Sequence, residues 1–218
     1  MATNPETLPN LAPPHVAQGT ETALLAEIFR PEINLVILER DIERDLKVFC
    51  EKQLMPSGLF GHESTVSDAQ PLAETLPSAI LAMPGVEALV ADLRHLHRLW
   101  EDLFSPERTG LRLRVLNQAM CPRFHVDQVL VRMIVTYGGT GTEWLPEHAA
   151  DRSLLGRPLA DLRDDPLADP DEIQTAPPYA IALLKGEAWP GNQGHGSIHR
   201  SPHIEPPERR ALLTLDLL

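Results

Sequence analysis

The sequence predicts a mostly β domain with a helical flank. From residue 111 onward the chain contains short apolar runs with alternating or β-branched residues, a pattern typical of strands. Before that point, apolar residues over 86–104 recur at intervals of three and four, which indicates one face of a helix. The 218 residues suit a single domain over 19–218, preceded by a flexible, proline-rich lead over 1–18.

Residues 19–110 are predicted to form the helical flank and a first strand. Pro31 ends the first helix, and Asp41 is a suitable N-cap for the second. In chain order we expect a short amphipathic helix over 21–29, a strand over 33–38, a packing helix over 41–54, a surface loop over 56–84 with a short helix at 79–83, and the helix over 86–104.

Residues 111–218 are predicted to form the main β unit. The expected strands are 111–116, a long strand from Cys121 through Tyr137, 142–146, 179–185 and the closing strand 210–217. The glycine cluster at 138–141 lacks the lysine of a phosphate-binding loop, so it is predicted to be a hairpin turn. The acidic, proline-rich segment 147–178 is predicted to be a lid or rim loop.

Composition excludes several classes of protein. The formal net charge of -12 argues against nucleic-acid binding, because phosphate contacts need clustered lysine and arginine. The two cysteines, Cys50 and Cys121, are too few for a disulfide framework. Neither a signal peptide nor a membrane-spanning run is visible. We expect a cytoplasmic protein that binds neither nucleic acid nor membrane, whose substrate is an unidentified small molecule or peptide.

A histidine and a carboxylate are paired at the start of the long strand. His125 and Asp127 are two positions apart, so in an extended chain their side chains point to the same side. His199, near the C-terminus, is the third ligand that we predict. Two histidines and one carboxylate on one face of an octahedron leave three positions open, which suits non-haem Fe(II) that activates O2.

The H-x-D pair on a strand, the distant His199 and an arginine about ten residues later resemble the Fe(II)- and 2-oxoglutarate-dependent dioxygenases. The resemblance covers 111–218 and is one of pattern. It implies a double-stranded β-helix, a jelly-roll or cupin-like barrel on which the N-terminal helices pack. It also implies Fe(II) held by His125, Asp127 and His199 at the barrel mouth, 2-oxoglutarate as cosubstrate, and hydroxylation of an unknown substrate. The whole chain also resembles an uncharacterised bacterial family of unknown function, which assigns no activity.

An arginine of the closing strand is the predicted partner of the cosubstrate. Period-two alternation groups Arg210 with Thr214 on one face, whereas Arg209 falls among apolar residues on the other. We therefore expect Arg210 and Thr214 to bind the distal carboxylate of 2-oxoglutarate, with Arg209 as the alternative. The family's usual Arg-x-Ser/Thr departs here to Arg210-x-Leu212. Tyr137 shares the parity of His125 and Asp127, so it either hydrogen-bonds the cosubstrate or fills the barrel.

Zinc is the alternative metal, in a non-enzymatic zinc-binding or metal-homeostasis protein of the same fold. Cys121 would be a soft additional ligand that favours zinc over Fe(II). His195 and His203 are each four residues from His199, and all three would share one face of an extended strand. Glycine and proline between them argue against a helical zinc site. Each of these three residues also has an ordinary structural interpretation, as a small buried thiol or as an exposed loop histidine.

Overall fold

A computed structural model describes residues 15–67, 72–156 and 169–218. Its strands are β1 (His15–Gly19), β2 (Ile33–Leu38), β3 (Phe60–Ser67), β4 (Arg108–Leu116), β5 (Val131–Gly138), β6 (Glu143–Trp144), β7 (Gln174–Thr175), β8 (Ile181–Lys185), β9 (His199–Arg200) and β10 (Arg210–Leu217). They form a larger sheet in the order β1-β2-β8-β5-β10-β4-β3 and a smaller sheet in the order β7-β6-β9. The predicted mostly β architecture is confirmed.

Helices cover one face of the larger sheet. The α-helices are α1 (Arg44–Phe49), α2 (Ser78–Leu81) and α3 (Val86–Phe104), and a 3-10 helix spans Thr22–Phe29. A π-helical turn and a 3-10 turn extend α1 as far as Ser57. The buried stripe of α3, which includes Leu93 and Trp100, packs with alternate residues of the central strands in one large core. The sequence predicted this helix with its correct bounds.

The smaller sheet covers the opposite face of the larger one. A second apolar cluster fills the space between them, with Trp144 of β6 and Ala176 on one side and Ile134, Leu184 and Leu212 on the other. The larger sheet is therefore a middle layer that faces helices on one side and the smaller sheet on the other. Among the described residues, none of the helices combines the length and hydropathy that a membrane span requires.

Strand β10 shows how the two faces are used. Ala211, Leu213 and Leu215 belong to the helix-side core, whereas Leu212 belongs to the cluster between the sheets. Arg210 and Thr214 share the face of Leu212 and line a cavity there. The alternation predicted for this strand is confirmed.

One predicted loop contains a strand. Within 56–84, expected to be a surface loop, β3 pairs antiparallel with β4 along its whole length. The strand lies at the edge of the sheet, and its outward face carries Gly61, Glu63 and Thr65, all exposed. An edge strand with a solvated face has little apolar content, so the pattern resembled a loop.

The turn at 138–141 is not a hairpin, contrary to the prediction. It follows β5 in the larger sheet and leads to β6, which pairs with β7 and β9 in the smaller sheet. Gly139 has a φ of +80°, and a Cβ on Gly141 would overlap the carbonyl oxygen of Ala176. The glycines therefore permit a close crossing between sheets.

The long strand predicted from Cys121 through Tyr137 is interrupted. The chain bends at 128–130, and β5 begins only at Val131. Of the proline-rich lead, residues 1–14 lie outside the described residues, whereas 15–18 belong to β1, which pairs in parallel with β2. Residues 157–168 of the predicted lid also lie outside the described residues, so its role stays a prediction.

We expect Gly141→Ala to destabilise the protein by about 2 kcal/mol or more, because the new methyl group would displace the backbone of Ala176. Gly61→Ala is the matched control, since a Cβ there would meet only the flexible side chain of Arg114 at ordinary contact distance. Its expected effect is below about 1 kcal/mol. Urea unfolding measures both, and equal midpoints for the two variants would contradict the close crossing.

Candidate metal centre

The two candidate histidine ligands are joined through their backbones. The amide of His125 donates to the carbonyl oxygen of His199, and the amide of His199 donates to that of His125, each at 3.0 Å. His199 begins β9, which pairs with β6, and His125 extends this pairing as an isolated antiparallel bridge. The imidazole centroids are 4.5 Å apart. The bridge thus brings the rings together although they are far apart in sequence.

The carboxylate of Asp127 completes the cluster. Its Oδ2 lies 3.3 Å from Nε2 of His199, and its Oδ1 lies 3.8 Å from Nε2 of His125. One ligand atom from each of the three residues lies within 4.8 Å of the others, so together they could hold a metal ion. The structure therefore brings together the three residues predicted as ligands.

Each imidazole is oriented by its other nitrogen. The Nδ1–H of His125 donates to the carbonyl oxygen of Arg123 at 2.9 Å, and the Nδ1–H of His199 donates to that of Ser197 at 3.0 Å. Since Nδ1 carries the proton, the lone pair of each neutral ring lies on Nε2, which faces the cluster. Burial, with a smaller contribution from His199, lowers the pKa of His125 and so favours that neutral form.

An arginine holds the carboxylate. Burial opposes ionisation of Asp127, but its interactions with His199 and Arg132 outweigh that effect and lower the pKa of the carboxyl to about 2. Nη1 of Arg132 donates to Oδ2 of Asp127 at 2.7 Å, and its Nε donates to Oδ1 of Asp216 at 2.5 Å. Asp127 is therefore an anion at neutral pH, which is the state that binds a metal.

A cavity of about 130 Å³ adjoins the histidines, and Arg210 is buried in its wall. Its Nε donates to the carbonyl oxygen of Thr140 at 2.9 Å, and its Nη2 donates to Oγ1 of Thr142 at 2.7 Å. Within the described segments the guanidinium forms no ion pair. Burial lowers its pKa to about 10, so it remains charged at neutral pH.

A threonine hydroxyl that makes no hydrogen bond to the described residues lies in the same cavity wall. Oγ1 of Thr214 is buried and has no hydrogen-bond partner among the residues that the structure describes. A buried polar atom without a partner is costly, so such atoms usually mark a place for a ligand or a water molecule. Arg210 and Thr214 both line this cavity, so its wall offers a cation and a hydroxyl group to a carboxylate.

Two residues predicted to bind the cosubstrate lie elsewhere. Tyr137 points to the helix side of β5, where its hydroxyl donates to Asp92 at 2.6 Å. Its predicted position depended on one continuous strand, and the bend at 128–130 removes that shared parity. Nη1 of Arg209 donates to the carbonyl oxygen of Met55 at 2.9 Å. Neither residue lines the cavity beside the histidines.

The residues proposed as additional zinc ligands are also outside the cluster. Cys121 is exposed and lines the cavity, but it is not one of the three clustered ligands. Nε2 of His203 lies 3.1 Å from exposed Glu205. The ring of His195 has a buried Nδ1 with no hydrogen-bond partner among the described residues, and it likewise lies outside the cluster. Of the three histidines spaced by four, only His199 belongs to the cluster.

Sequence reasoning missed Arg132 and Asp216. Both interrupt apolar strands, and a charged residue in such a run signals a buried ion pair. Their mutual register, with Arg132 of β5 directly opposite Asp216 of β10, requires the sheet order.

His199→Ala is expected to abolish stoichiometric metal binding, because it removes one of three ligands while the backbone bridge remains. The free energy of unfolding of the metal-free variant should fall by no more than about 2 kcal/mol. Elemental analysis after dialysis against Fe(II) or Zn(II) measures the loss, and exposed His203→Ala is the control. Full metal occupancy in His199→Ala would refute this ligand set.

Two solved plant structures are similar to this chain. A dioxygenase for auxin oxidation from rice has 14% sequence identity and a TM-score of 0.54, over 95% of this chain and 83% of that one. The dioxygenase for auxin oxidation 1 from Arabidopsis thaliana, in complex with 2-oxoglutarate, has 12% identity and a TM-score of 0.51, over 95% and 92%. At these identities the likeness shows the fold alone. It confirms the predicted double-stranded β-helix fold.

No curated protein matches the sequence. The model of one family, described as "Protein of unknown function (DUF1826)", matches residues 19–216. That match covers nearly the whole chain, and it agrees with the resemblance seen in the sequence. The chain belongs to the DUF1826 family.

Proposed function

We propose that this protein is an Fe(II)- and 2-oxoglutarate-dependent oxygenase that hydroxylates an organic substrate. One observation carries the proposal. The cavity beside His125 and His199 is also lined by two buried groups: among the described residues, Arg210 has no ion-pair partner and Oγ1 of Thr214 has no hydrogen-bond partner. A metal site alone would not need a carboxylate-binding corner next to it. The two together match the needs of a keto acid that reaches a metal with one end and an arginine with the other.

The donor set of the cluster supports iron. Two imidazole nitrogens and one carboxylate oxygen are the ligands of non-haem Fe(II) oxygenases, and they leave positions open for the cosubstrate and O2. The zinc alternative depended on Cys121, His195 or His203 as a further ligand, and none of them belongs to the cluster. Among the described residues, the cluster therefore contains no sulfur ligand that would favour zinc.

Arg210 and Thr214 would bind the distal carboxylate of 2-oxoglutarate. The guanidinium is held by Thr140 and Thr142, so its remaining donors have a fixed direction. The family's Arg-x-Ser/Thr spacing would place a hydroxyl at position 212, but this chain has Leu212 there, which packs between the sheets. Thr214 would supply the hydroxyl instead. Two residues further along β10, the side chain returns to the same face. Burial strengthens the expected charge-assisted hydrogen bonds.

The protein's own groups would orient the reactants. Arg123 and Ser197 carbonyl oxygens fix the two rings, and Arg132 fixes the carboxylate of Asp127. Fe(II) and 2-oxoglutarate, when bound, would supply the O2 chemistry, in which the keto acid, O2 and a substrate C–H give succinate, CO2 and the alcohol. The substrate would have to meet the cluster from the cavity side, where His125 is partly exposed.

We expect Thr214→Val to weaken 2-oxoglutarate binding about fivefold, because it removes one hydrogen bond and keeps the shape of the side chain. Arg210→Gln should weaken it about tenfold to hundredfold, because a charge-assisted bond is lost. An anaerobic titration of the Fe(II)-loaded protein, followed by the visible charge-transfer band, measures both. Exposed Arg98→Gln on α3 is the control.

The same titration distinguishes the alternatives. Absence of the band in the unmodified protein, together with tight stoichiometric zinc, would favour the non-enzymatic metal-binding protein. A band that forms equally well in Arg210→Gln would show that the cosubstrate corner is wrongly assigned. Succinate formed from 2-oxoglutarate in air gives an independent readout of turnover.

A further inference from the structure

Two arginines of β4 lie between solvent and the residues proposed to bind the cosubstrate, Arg210 and Thr214. On the face of the larger sheet that lines the cavity, Arg112 and Arg114 of β4 lie opposite Thr214 and Leu212 of β10. On the other side of β4, Glu63 of edge strand β3 lies opposite Arg112. The side chains become more exposed along this row, from buried Thr214 to Arg112 at 35% and Glu63 at 55%. The row therefore marks the open end of the cavity.

The two arginines at this open end differ in their carboxylate partners. Arg112 pairs with buried Asp216 and lies 3.7 Å from Glu63, whereas the only carboxylate that pairs with Arg114 among the described residues is Glu63. The single exposed carboxylate of Glu63 thus pairs with both arginines. Nη1 of Arg114 also lies 3.1 Å from Sδ of Met120, a weak acceptor. A pair with an exposed carboxylate is worth little, so a ligand anion can displace it.

The charges do not balance when the proposed metal and cosubstrate are bound. Asp127 and the near carboxylate of 2-oxoglutarate would offset the two charges of the metal, and Arg210 would offset the distal carboxylate. Among the described residues that pair on this face, three arginines, Arg112, Arg114 and Arg132, then face two carboxylates, Asp216 and Glu63. One positive charge remains at the side of the cavity that is open to solvent.

We propose that Arg112 and Arg114 form a recognition site for an anionic group of the substrate, a carboxylate or a phosphate, with Glu63 occupying the arginines until the substrate binds. This inference rests on the proposed function, because it assigns the substrate class of the same cavity. Planar guanidinium groups on one strand suit the oxygen atoms of either anion. An anion held there would place the rest of the molecule over the cavity that contains His125 and His199.

Benzoate, phenyl phosphate and uncharged benzamide test the site, since benzamide has nearly the shape of benzoate without its charge. Calorimetric titrations use the full chain loaded anaerobically with Fe(II) and 2-oxoglutarate. We expect one or both anions to bind and benzamide to bind at least about tenfold more weakly. The anion that loses more affinity in Arg114→Gln identifies the group that the substrate carries. Equal affinities for all three probes, or binding of neither anion, would overturn the inference.

Two variants with opposite expected effects locate the binding. Arg114→Gln should weaken anion binding about tenfold, whereas Glu63→Gln should strengthen it a few-fold, because the competing carboxylate is gone. Exposed Arg98→Gln is again the control. Unchanged affinity in Arg114→Gln would refute the assignment even if the anions bind.

The charge-transfer band separates this inference from the proposed function. It should be unchanged in Arg114→Gln, and a loss comparable to the loss of anion binding would mean that Arg114 serves the cosubstrate instead. If the unmodified protein gives no band, the proposed function fails. Titration of the anions into the same protein without iron or 2-oxoglutarate, compared with Arg114→Gln, then still tests the arginine site.

Discussion

The site depends on a pair of backbone hydrogen bonds between His125 and His199. Such a pair sets the spacing of two chains to that of neighbouring β-strands, and side chains on the same face then lie close together. The adjoining carbonyl oxygens of Arg123 and Ser197 orient the rings. The position and the orientation of the rings are thus both determined by the paired backbone and by the carbonyl oxygens beside it.

One face of the larger sheet forms the hydrophobic core, and the opposite face carries charged and polar side chains. The apolar face of β4, β5, β8 and β10 packs on α3 and supplies most of the core. The other face carries Arg112, Arg132, Arg210, Thr214 and Asp216 between the sheets. Charged groups in such a place require partners, and the pairs of Asp216 with two arginines meet this requirement. Arg210 is buried and forms no ion pair with a carboxylate in the part of the chain that the structure describes, so it is the exception that indicates a ligand.

The sequence predicted the features that depend on local pattern. Helix α3 and the alternation of β10 follow from hydrophobic periodicity, and His125 with Asp127 follow from the two-residue repeat of an extended chain. Features that depend on which strands pair with each other could not be predicted from the sequence. Edge strand β3 has too little apolar content, and the crossing at 138–141 depends on which sheet accepts β6. The side of the sheet predicted for Tyr137 was wrong, because nothing in the apolar sequence over 129–137 indicated that the chain bends at 128–130.

The most direct test is a crystal structure of the protein loaded anaerobically with Fe(II) and 2-oxoglutarate, with anomalous scattering recorded at the iron edge. We expect one iron peak about 2 Å from Nε2 of His125, Nε2 of His199 and a carboxylate oxygen of Asp127. We also expect the keto acid to lie between that peak and Arg210. An iron peak away from these three atoms, or a keto acid that does not touch Arg210, would contradict the proposed site.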